Sequence, residues 1–205
     1  MEINVSKLGK KFQNEWIFRD FSCQFSINNT YTFIGANGSG KSTLLKVIAG
    51  SIPSTTGEIV YSSNNNIIHP DDFYKHLNIA SPYLELIEEF TLSEFIAFHV
   101  KFKPLIKGYT CKDFIDFIEL SHVKNKELRF FSSGMKQKVK LGLAFMTDSS
   151  VVMLDEPTSN FDQNAINWYK KNITEFCKNR VMFIFSNQLY EYEFCNQIID
   201  IQNYK

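Results

Sequence analysis

A glycine-rich segment in the first quarter of the chain has the residue types that bind a polyphosphate. The pattern GxxxxGK[ST] is met at every specified position by Gly35, Ala36, Asn37, Gly38, Ser39, Gly40, Lys41 and Ser42. Glycines let the backbone approach phosphate groups closely with its N–H groups directed inward. In such a loop Lys41 neutralises the β- and γ-phosphates, Ser42 is a ligand for Mg²⁺, and Thr43 bonds the α-phosphate. The segment therefore predicts a nucleotide site.

Two acidic residues follow an apolar run much later in the chain. The run VVML at 151–154 predicts a buried strand, and Asp155 and Glu156 come directly after it. Open α/β sheets bind their ligands at this end of the strands. We expect Asp155 to hold Mg²⁺, directly or through water, and Glu156 to orient and polarise the attacking water. A solvated strand end before Pro157 would give the same pattern, so this interpretation depends on the phosphate loop.

The elements around these residues alternate between strands and helices. Strands are predicted at 30–34, 57–61, 151–154, 181–185 and 198–201, and helices at 44–48, 110–120, 134–146 and 163–178. Thr91 and Glu94 have the spacing of a capping box before a further helix, and Gly50 can end the first one. This alternation favours a mainly parallel sheet. We further expect an antiparallel edge over residues 2–33, and a helical lobe at about 82–131 inserted into a core of 1–81 and 132–205.

Composition and charge narrow the classes of function. The 205 residues carry 22 basic and 22 acidic side chains, and this zero net charge argues against a nucleic-acid-binding surface. No run of 18 apolar residues is present, and the first residues lack the apolar core of a signal peptide, so a cytoplasmic protein is expected. The scattered cysteines predict buried, reduced thiols, and the histidines lack ligand spacing for a metal site. These residues are Cys23, Cys111, Cys177, Cys195, His69, His76, His99 and His122.

A third segment relates the nucleotide site to a family. Residues 131–135, FSSGM, resemble an LSGGQ signature, and residues 154–162, LDEPTSNFD, resemble the run LDEPTSxLD. With the phosphate loop, the order and register of the motifs match from Phe12 to about Gln188. The chain is thus similar to the ATP-binding subunits of ABC transporters. The resemblance implies an α/β fold: a P-loop NTPase core with a mainly parallel sheet, an N-terminal antiparallel β edge and an inserted α-helical lobe.

The same resemblance implies an ATPase that works as a pair. Two such domains pack head to tail and hold two ATP molecules with Mg²⁺ between them. The signature, which is Ser132, Ser133, Gly134 and Met135 in this chain, belongs to the opposite site, where Ser132 and the Gly134 N–H contact the γ-phosphate. Asp162 corresponds to the D-loop acid that couples the two sites. Phe12 stands where the family has an aromatic residue that stacks on adenine; Trp16 is a second candidate, and a core position for Phe12 is the alternative.

The partners implied by the resemblance are transmembrane permease subunits and a second ATPase subunit, identical or different, with no nucleic acid. The chain would then lie on the cytoplasmic face of the membrane, held there by its partner. Aromatic residues of the helical lobe could form a groove for partner helices, although most of them are expected in the core: Phe90, Phe95, Phe98, Phe102, Phe114 and Phe117.

The chain departs from the family pattern at three positions. Ser133 replaces a signature glycine, no glutamine stands near Pro82 or Tyr83, and Asn187 replaces the switch histidine. Asparagine donates and accepts hydrogen bonds but carries no proton. With Glu156, Lys41 and Asn187 as the catalytic set, we expect slow turnover. Two other functions stay open: a regulatory nucleotide switch without catalysis, and a soluble ABC protein acting on nucleic acid, which the zero net charge disfavours.

Overall fold

The computed structural model describes residues 1–176 and 178–205, which form two β-sheets and their covering helices. The strands are β1 (Glu2–Phe12), β2 (Glu15–Ser26), β3 (Thr30–Ile34), β4 (Thr56–Ser63), β5 (Asn66–Ile68), β6 (Leu77–Ala80), β7 (Val151–Asp155), β8 (Val181–Phe185) and β9 (Gln197–Asp200). The α-helices are α1 (Lys41–Ile48), α2 (Leu92–His99), α3 (Cys111–Phe117), α4 (Ser133–Met146), α5 (Gln163–Phe176) and α6 (Leu189–Tyr192). Short 3₁₀ helices lie at Pro70–His76, Ser121–Val123, Leu128–Phe130 and Ile201–Tyr204.

The larger sheet is parallel and buried. Its strand order is β6-β7-β8-β3-β9, and every pairing along it is parallel. Side chains of β7 alternate between two apolar clusters, with Val151 and Met153 in one and Val152 and Leu154 in the other. Both faces of the sheet are therefore covered, which explains why β7 and β8 have continuous apolar sequences without polar alternation.

The N-terminal antiparallel region is a sheet of its own. Its strand order is β2-β1-β4-β5, and β1 pairs with both β2 and β4. The predicted edge over 2–33 therefore ends at Ser26 and gains two later strands, while β3 belongs to the parallel sheet. The physical reason lies in burial: Tyr31, Thr32 and Phe33 are all buried, whereas β1 and β2 each keep exposed positions.

The chain between β6 and β7 is helical, as predicted. Capping boxes begin both helices, from Thr91 to Glu94 in α2 and from Thr110 to Asp113 in α3. The apolar residues of α2 and α3 belong to the same cluster as those of α4 and α5. The shared cluster packs this region onto the parallel sheet; its boundaries at about 82 and 131 stay a prediction.

The cysteines of the described residues are free. Cys23, Cys111 and Cys195 are partly exposed rather than buried, and Cys177 lies outside the described residues. Partial burial still raises the pKa of the Cys195 thiol to about 12, so this thiol stays protonated at neutral pH. None of the helices within residues 1–176 and 178–205 has both the length and the apolar character to cross a bilayer.

Candidate nucleotide-binding site

The phosphate loop joins the carboxyl end of β3, an interior strand of the parallel sheet, to α1. Gly38 and Gly40 have φ values of 77° and 103°, in the left-handed region that favours glycine. A Cβ atom on Gly40 would also lie 2.4 Å from Cγ2 of Ile17. Gly40 caps α1 without a side-chain hydrogen bond, and the first turn of α1 contains no acidic residue. The amide groups of this turn and the positive end of the helix dipole thus suit an anion.

Lys41 lies across the loop that precedes it. Its Nζ atom donates to the carbonyl oxygens of Gly35 at 2.6 Å and Ala36 at 3.4 Å, and the residue is buried. Burial lowers the pKa of Lys41, while the charges of Glu156 and Asp155 act in the opposite direction. The ammonium group is thus held at the mouth of the loop by contacts that a phosphate oxygen can replace.

Two serine hydroxyls, one from α1 and one from the loop after β6, converge on the carboxylate of Asp155. The Ser42 hydroxyl donates to Oδ2 of Asp155 at 3.1 Å, and the Ser81 hydroxyl donates to the same oxygen at 3.3 Å. Burial raises the pKa of Asp155, an effect opposed by both serines and by Lys41 and reinforced by Glu156. Hydroxyl and carboxylate oxygens are the ligands that Mg²⁺ prefers, and phosphates commonly complete its shell. The donor set of Ser42 and Asp155 therefore fits Mg²⁺.

Glu156 occupies a sharp turn at the end of β7. Its φ is 42°, which is uncommon for a residue with a side chain. Its N–H donates to the Phe185 carbonyl at 2.9 Å, and the Ser159 hydroxyl donates to its Oε2 at 3.3 Å. The residue borders a polar cavity of about 280 Å³ that Asn37 and Asn187 also line. The turn thus places the Glu156 carboxylate beside the phosphate loop.

Asn187 connects the end of β8 to the phosphate loop. Its Oδ1 accepts a hydrogen bond from the Gly35 N–H at 3.2 Å, and its Nδ2 lies 3.5 Å from Oδ1 of Asn37. Asn187 therefore lies in the same cavity as Glu156, at the position predicted for the switch residue. Its amide supplies both a donor and an acceptor there.

Glu191 is a buried acid of this region that the sequence did not reveal. It is 2% exposed, and its Oε1 accepts hydrogen bonds from the Thr158 N–H at 2.8 Å and from the Thr158 hydroxyl. Its backbone carbonyl accepts from the Tyr169 hydroxyl at 2.7 Å. Burial raises the pKa of Glu191. A single glutamate in a polar stretch gives no sequence signal, yet this one holds the turn that follows Glu156.

The signature lies apart from the phosphate loop. Ser132 caps α4 by accepting a hydrogen bond from the Met135 N–H at 3.2 Å, and Ser133, Gly134 and Met135 form the first turn. A Cβ atom on Gly134 would lie 2.8 Å from the Asn160 carbonyl, so the signature packs closely against the turn before Asp162.

Asp162 itself accepts a hydrogen bond from the Ala165 N–H at 2.8 Å. The signature and Asp162 share a cavity of about 340 Å³, and none of its lining residues lines the cavity at Glu156. The structure thus brings together Lys41, Ser42, Asp155, Glu156 and Asn187, and it leaves the signature outside the cavity that Glu156 and Asn187 line.

Phe12 lies at the end of β1 and is 50% exposed, which excludes the core alternative. The Lys10 ammonium lies 5.0 Å from the centroid of its ring. Trp16 is partly buried and has Lys11 over its ring at 5.5 Å. Phe12 therefore offers the more accessible ring face for stacking. Tyr83, one of the two residues near which the resemblance implies a glutamine, is 78% exposed.

Comparisons with known proteins agree with this geometry. The family model described as ABC transporter matches residues 18–159. ABC transporter A family member 4 of Dictyostelium discoideum is 29% identical over 217 residues, which cover 97% of this chain and 13% of that protein. The ABC transporter ATP-binding protein YcbN of Bacillus subtilis is 24% identical over 164 residues, covering 80% of this chain and 53% of that protein. This chain thus spans less than two thirds of the length of either relative.

Solved structures share the fold along almost the whole chain. An ATP-binding subunit of an ABC transporter superimposes with a TM-score of 0.83 at 22% identity, covering 98% of this chain and 86% of the other. A dimeric post-hydrolysis state of an ATP-binding cassette, bound to ADP and Pi, gives a TM-score of 0.79 at 19% identity, covering 97% and 94%. These likenesses confirm the predicted α/β P-loop fold.

Proposed function

We propose that this chain, which belongs to the ABC transporter family, binds and hydrolyses Mg²⁺-ATP to drive a membrane permease. The observation that carries the proposal is the convergence of Lys41, Ser42, Asp155 and Glu156 at the ends of β3 and β7. These are the groups that phosphoryl transfer to water requires: a phosphate cradle, metal ligands and a carboxylate for the water.

In the proposed reaction each residue has one task. The loop amides and Lys41 bind the phosphates, and Lys41 exchanges its contacts with Gly35 and Ala36 for phosphate oxygens. Ser42 and Asp155 hold Mg²⁺, which supplies charge neutralisation at the β- and γ-phosphates when bound. Glu156 orients the attacking water and takes up its proton. Phe12 stacks on the adenine.

Asn187 limits the rate in this proposal. Its amide bridges the phosphate loop and the water, but it has no positive charge for the transition state. Removal of one stabilising group typically costs about 2.7–4 kcal/mol, or a factor of about 10²–10³ in rate. We therefore expect Asn187→His to raise turnover and Asn187→Ala to lower it. Equal turnover in all three forms would contradict a role for this side chain in setting the rate.

We further propose that two ATPase subunits form the active unit. The signature and Asp162 share a cavity of their own, and this separation supports a second subunit, identical or different, that supplies them to each phosphate loop. In that arrangement the added hydroxymethyl group of Ser133 either crowds the partner's γ-phosphate or is tolerated because it points away. The amides at the start of α4 then face its γ-phosphate.

A groove beside α2 supports permease binding at the cytoplasmic face of the membrane. It has a volume of about 840 Å³, and both Phe98 and Phe102 contribute to its wall. Phe95 and Phe114 are buried, as expected for most of these rings, but Phe98 is 38% and Phe102 72% exposed. The rings of Phe90, Phe98 and Phe102 follow one another at centroid distances of 5.5 and 5.0 Å. Such an exposed aromatic row suits apolar side chains of partner helices.

The test is Mg²⁺-dependent ATP hydrolysis as a function of protein concentration, with Glu156→Gln as the blank. We expect a rate that rises with the square of concentration at low protein and that the substitution abolishes. ATP binding without turnover above the blank, even with permease and partner subunit present, would favour the regulatory switch instead. Failure to bind ATP would refute the proposal.

A further inference from the structure

A buried lysine of α4 reaches the loop that follows β6. Lys140 is 9% exposed, and its Nζ donates to the carbonyl oxygens of Ser81 at 3.2 Å and Pro82 at 2.8 Å. Burying an ammonium group costs free energy unless strong hydrogen bonds compensate. Among the described residues its hydrogen-bond acceptors are these two carbonyls. The contact therefore fixes the loop relative to the helix.

The same loop contacts the carboxylate that we assign to Mg²⁺. Ser81 is 8% exposed, and its hydroxyl donates to Oδ2 of Asp155 at 3.3 Å. The Ser81 carbonyl thus accepts a hydrogen bond from Lys140 of α4, and the Ser81 hydroxyl donates one to Asp155. It shares that carboxylate oxygen with Ser42, which comes from α1.

A second contact connects α4 to the other side of Asp155 and Glu156. Gln137, one turn before Lys140, is 2% exposed, and its Nε2 donates to the Pro157 carbonyl at 3.0 Å. The helix that begins with the signature is therefore hydrogen-bonded to the loops after both β6 and β7.

We propose that Ser81 and Lys140 are positioning residues that orient the Asp155 carboxylate for Mg²⁺ and couple its position to α4. This inference rests on the proposed function, and it gives the chain a connection between helix and metal site in place of the missing glutamine. Contact of the signature with a second subunit moves α4, Lys140 moves the Ser81 carbonyl, and the Ser81 hydroxyl moves Oδ2. The occupancy of one nucleotide site thereby changes the position of Asp155 at the other site.

The test is the Mg²⁺ dependence of ATP binding by the intact chain, measured by calorimetry with and without Mg²⁺. Ser81→Ala and Lys140→Met should each weaken apparent Mg²⁺ affinity about 10-fold, the size expected when a group that orients a metal ligand is lost. Affinity for ATP in EDTA should stay unchanged. The double variant should lose no more than the worse single variant, because both residues act through one link.

Lys103→Met is the matched control. Lys103 is a partly buried lysine whose Nζ donates to the Leu77 carbonyl at the opposite end of β6, and to Oδ1 of Asn78 at 3.3 Å. This variant removes a comparable contact away from Asp155, so its Mg²⁺ affinity should equal that of the unmodified chain.

Unchanged Mg²⁺ affinity in Ser81→Ala, with ATP binding intact, would overturn the inference. Additive losses in the double variant would overturn the coupling through α4. If Lys140→Met fails to fold, Ser81→Ala alone decides the role in orienting Asp155, and Lys140→Arg, which keeps the charge and donors, decides the coupling. Absence of ATP binding by the unmodified chain would instead refute the proposed function itself.

Discussion

Replacing Glu191 by alanine should destabilise the protein because it leaves the buried N–H of Thr158 without an acceptor. The Thr158 N–H and hydroxyl both donate to Oε1 of Glu191, and Thr158 is 5% exposed. An unsatisfied buried donor costs about 1–3 kcal/mol, and the Thr158 hydroxyl keeps the Tyr190 hydroxyl as a partner at 3.1 Å, so Glu191→Ala should lose about 1–3 kcal/mol. Glu191→Gln keeps an acceptor at Oε1 and removes the cost of burying a charge. It should therefore lie within about 1 kcal/mol of the unmodified protein.

The assay is urea unfolding at pH 7, with the free energy of unfolding obtained by linear extrapolation. Glu193→Ala is the matched control, because Glu193 is a nearby exposed acid whose ion pair with Lys170 lies at the surface. It should change stability by less than about 0.5 kcal/mol. Equal loss in Glu191→Ala and Glu191→Gln would refute this reasoning, since it would show that the charge matters and the acceptor does not.

The same pair of variants separates stability from catalysis. The Thr158 contacts hold the turn that contains Glu156 and Ser159, whose hydroxyl bonds the Glu156 carboxylate. Glu191→Gln should consequently keep most of the ATPase rate at a temperature where both variants are folded, and Glu191→Ala should lose turnover with little change in ATP affinity. A selective loss of ATP affinity would contradict this positioning role.

Three further predictions concern other parts of the fold. Burial and Lys103 lower the pKa of His99 to about 4, whereas the unfolded side chain has a pKa of about 6.5. Between these values the unfolded state binds more protons than the folded state, so the free energy of unfolding should fall on acidification through this window. His99→Gln should flatten this pH dependence, measured by denaturant titration. Gly142→Ala places Cβ 2.4 Å from Cγ2 of Ile118 and should lower the unfolding free energy by about 1–3 kcal/mol; unchanged stability would mean that α3 can shift. Phe12→Ala should weaken ATP binding about 10-fold, or about 1.4 kcal/mol, while tripolyphosphate affinity, which lacks the stacking term, stays constant in the same calorimetric assay.

The parts that the sequence predicts well are those in which the information is local. The phosphate loop, the capping box of Thr91 and Glu94 and the apolar runs of β7 and β8 each need only a few consecutive residues. Their types and spacing restrict the backbone directly, through glycine dihedral angles, side-chain caps and burial on both sheet faces. Their positions in the structure agree with the prediction to within a few residues.

The parts that the sequence hides are single contacts between distant residues. Ser81 and Asp155 are 74 positions apart, and Lys140 and Ser81 are 59 apart. A serine or lysine alone has no pattern to recognise, and only the folded sheet brings β6, β7 and α4 together. The separate antiparallel sheet was hidden for the same reason, since the pairing of β1 with β4 depends on tertiary packing rather than on a local turn.

The pairing of β3 has a consequence for how the protein is made. Both neighbours of β3 in the parallel sheet, β8 and β9, lie about 150 or more residues later in the chain. During synthesis the strand that leads into the phosphate loop is complete after residue 34, but it has no partner until residues 181–200 have left the ribosome. Long-range parallel pairing is slow, and unpaired strand edges are exposed to aggregation meanwhile. The apolar run of β3 therefore stays exposed to aggregation during translation, and the strand before the phosphate loop enters the sheet only after residues 181–200 have emerged.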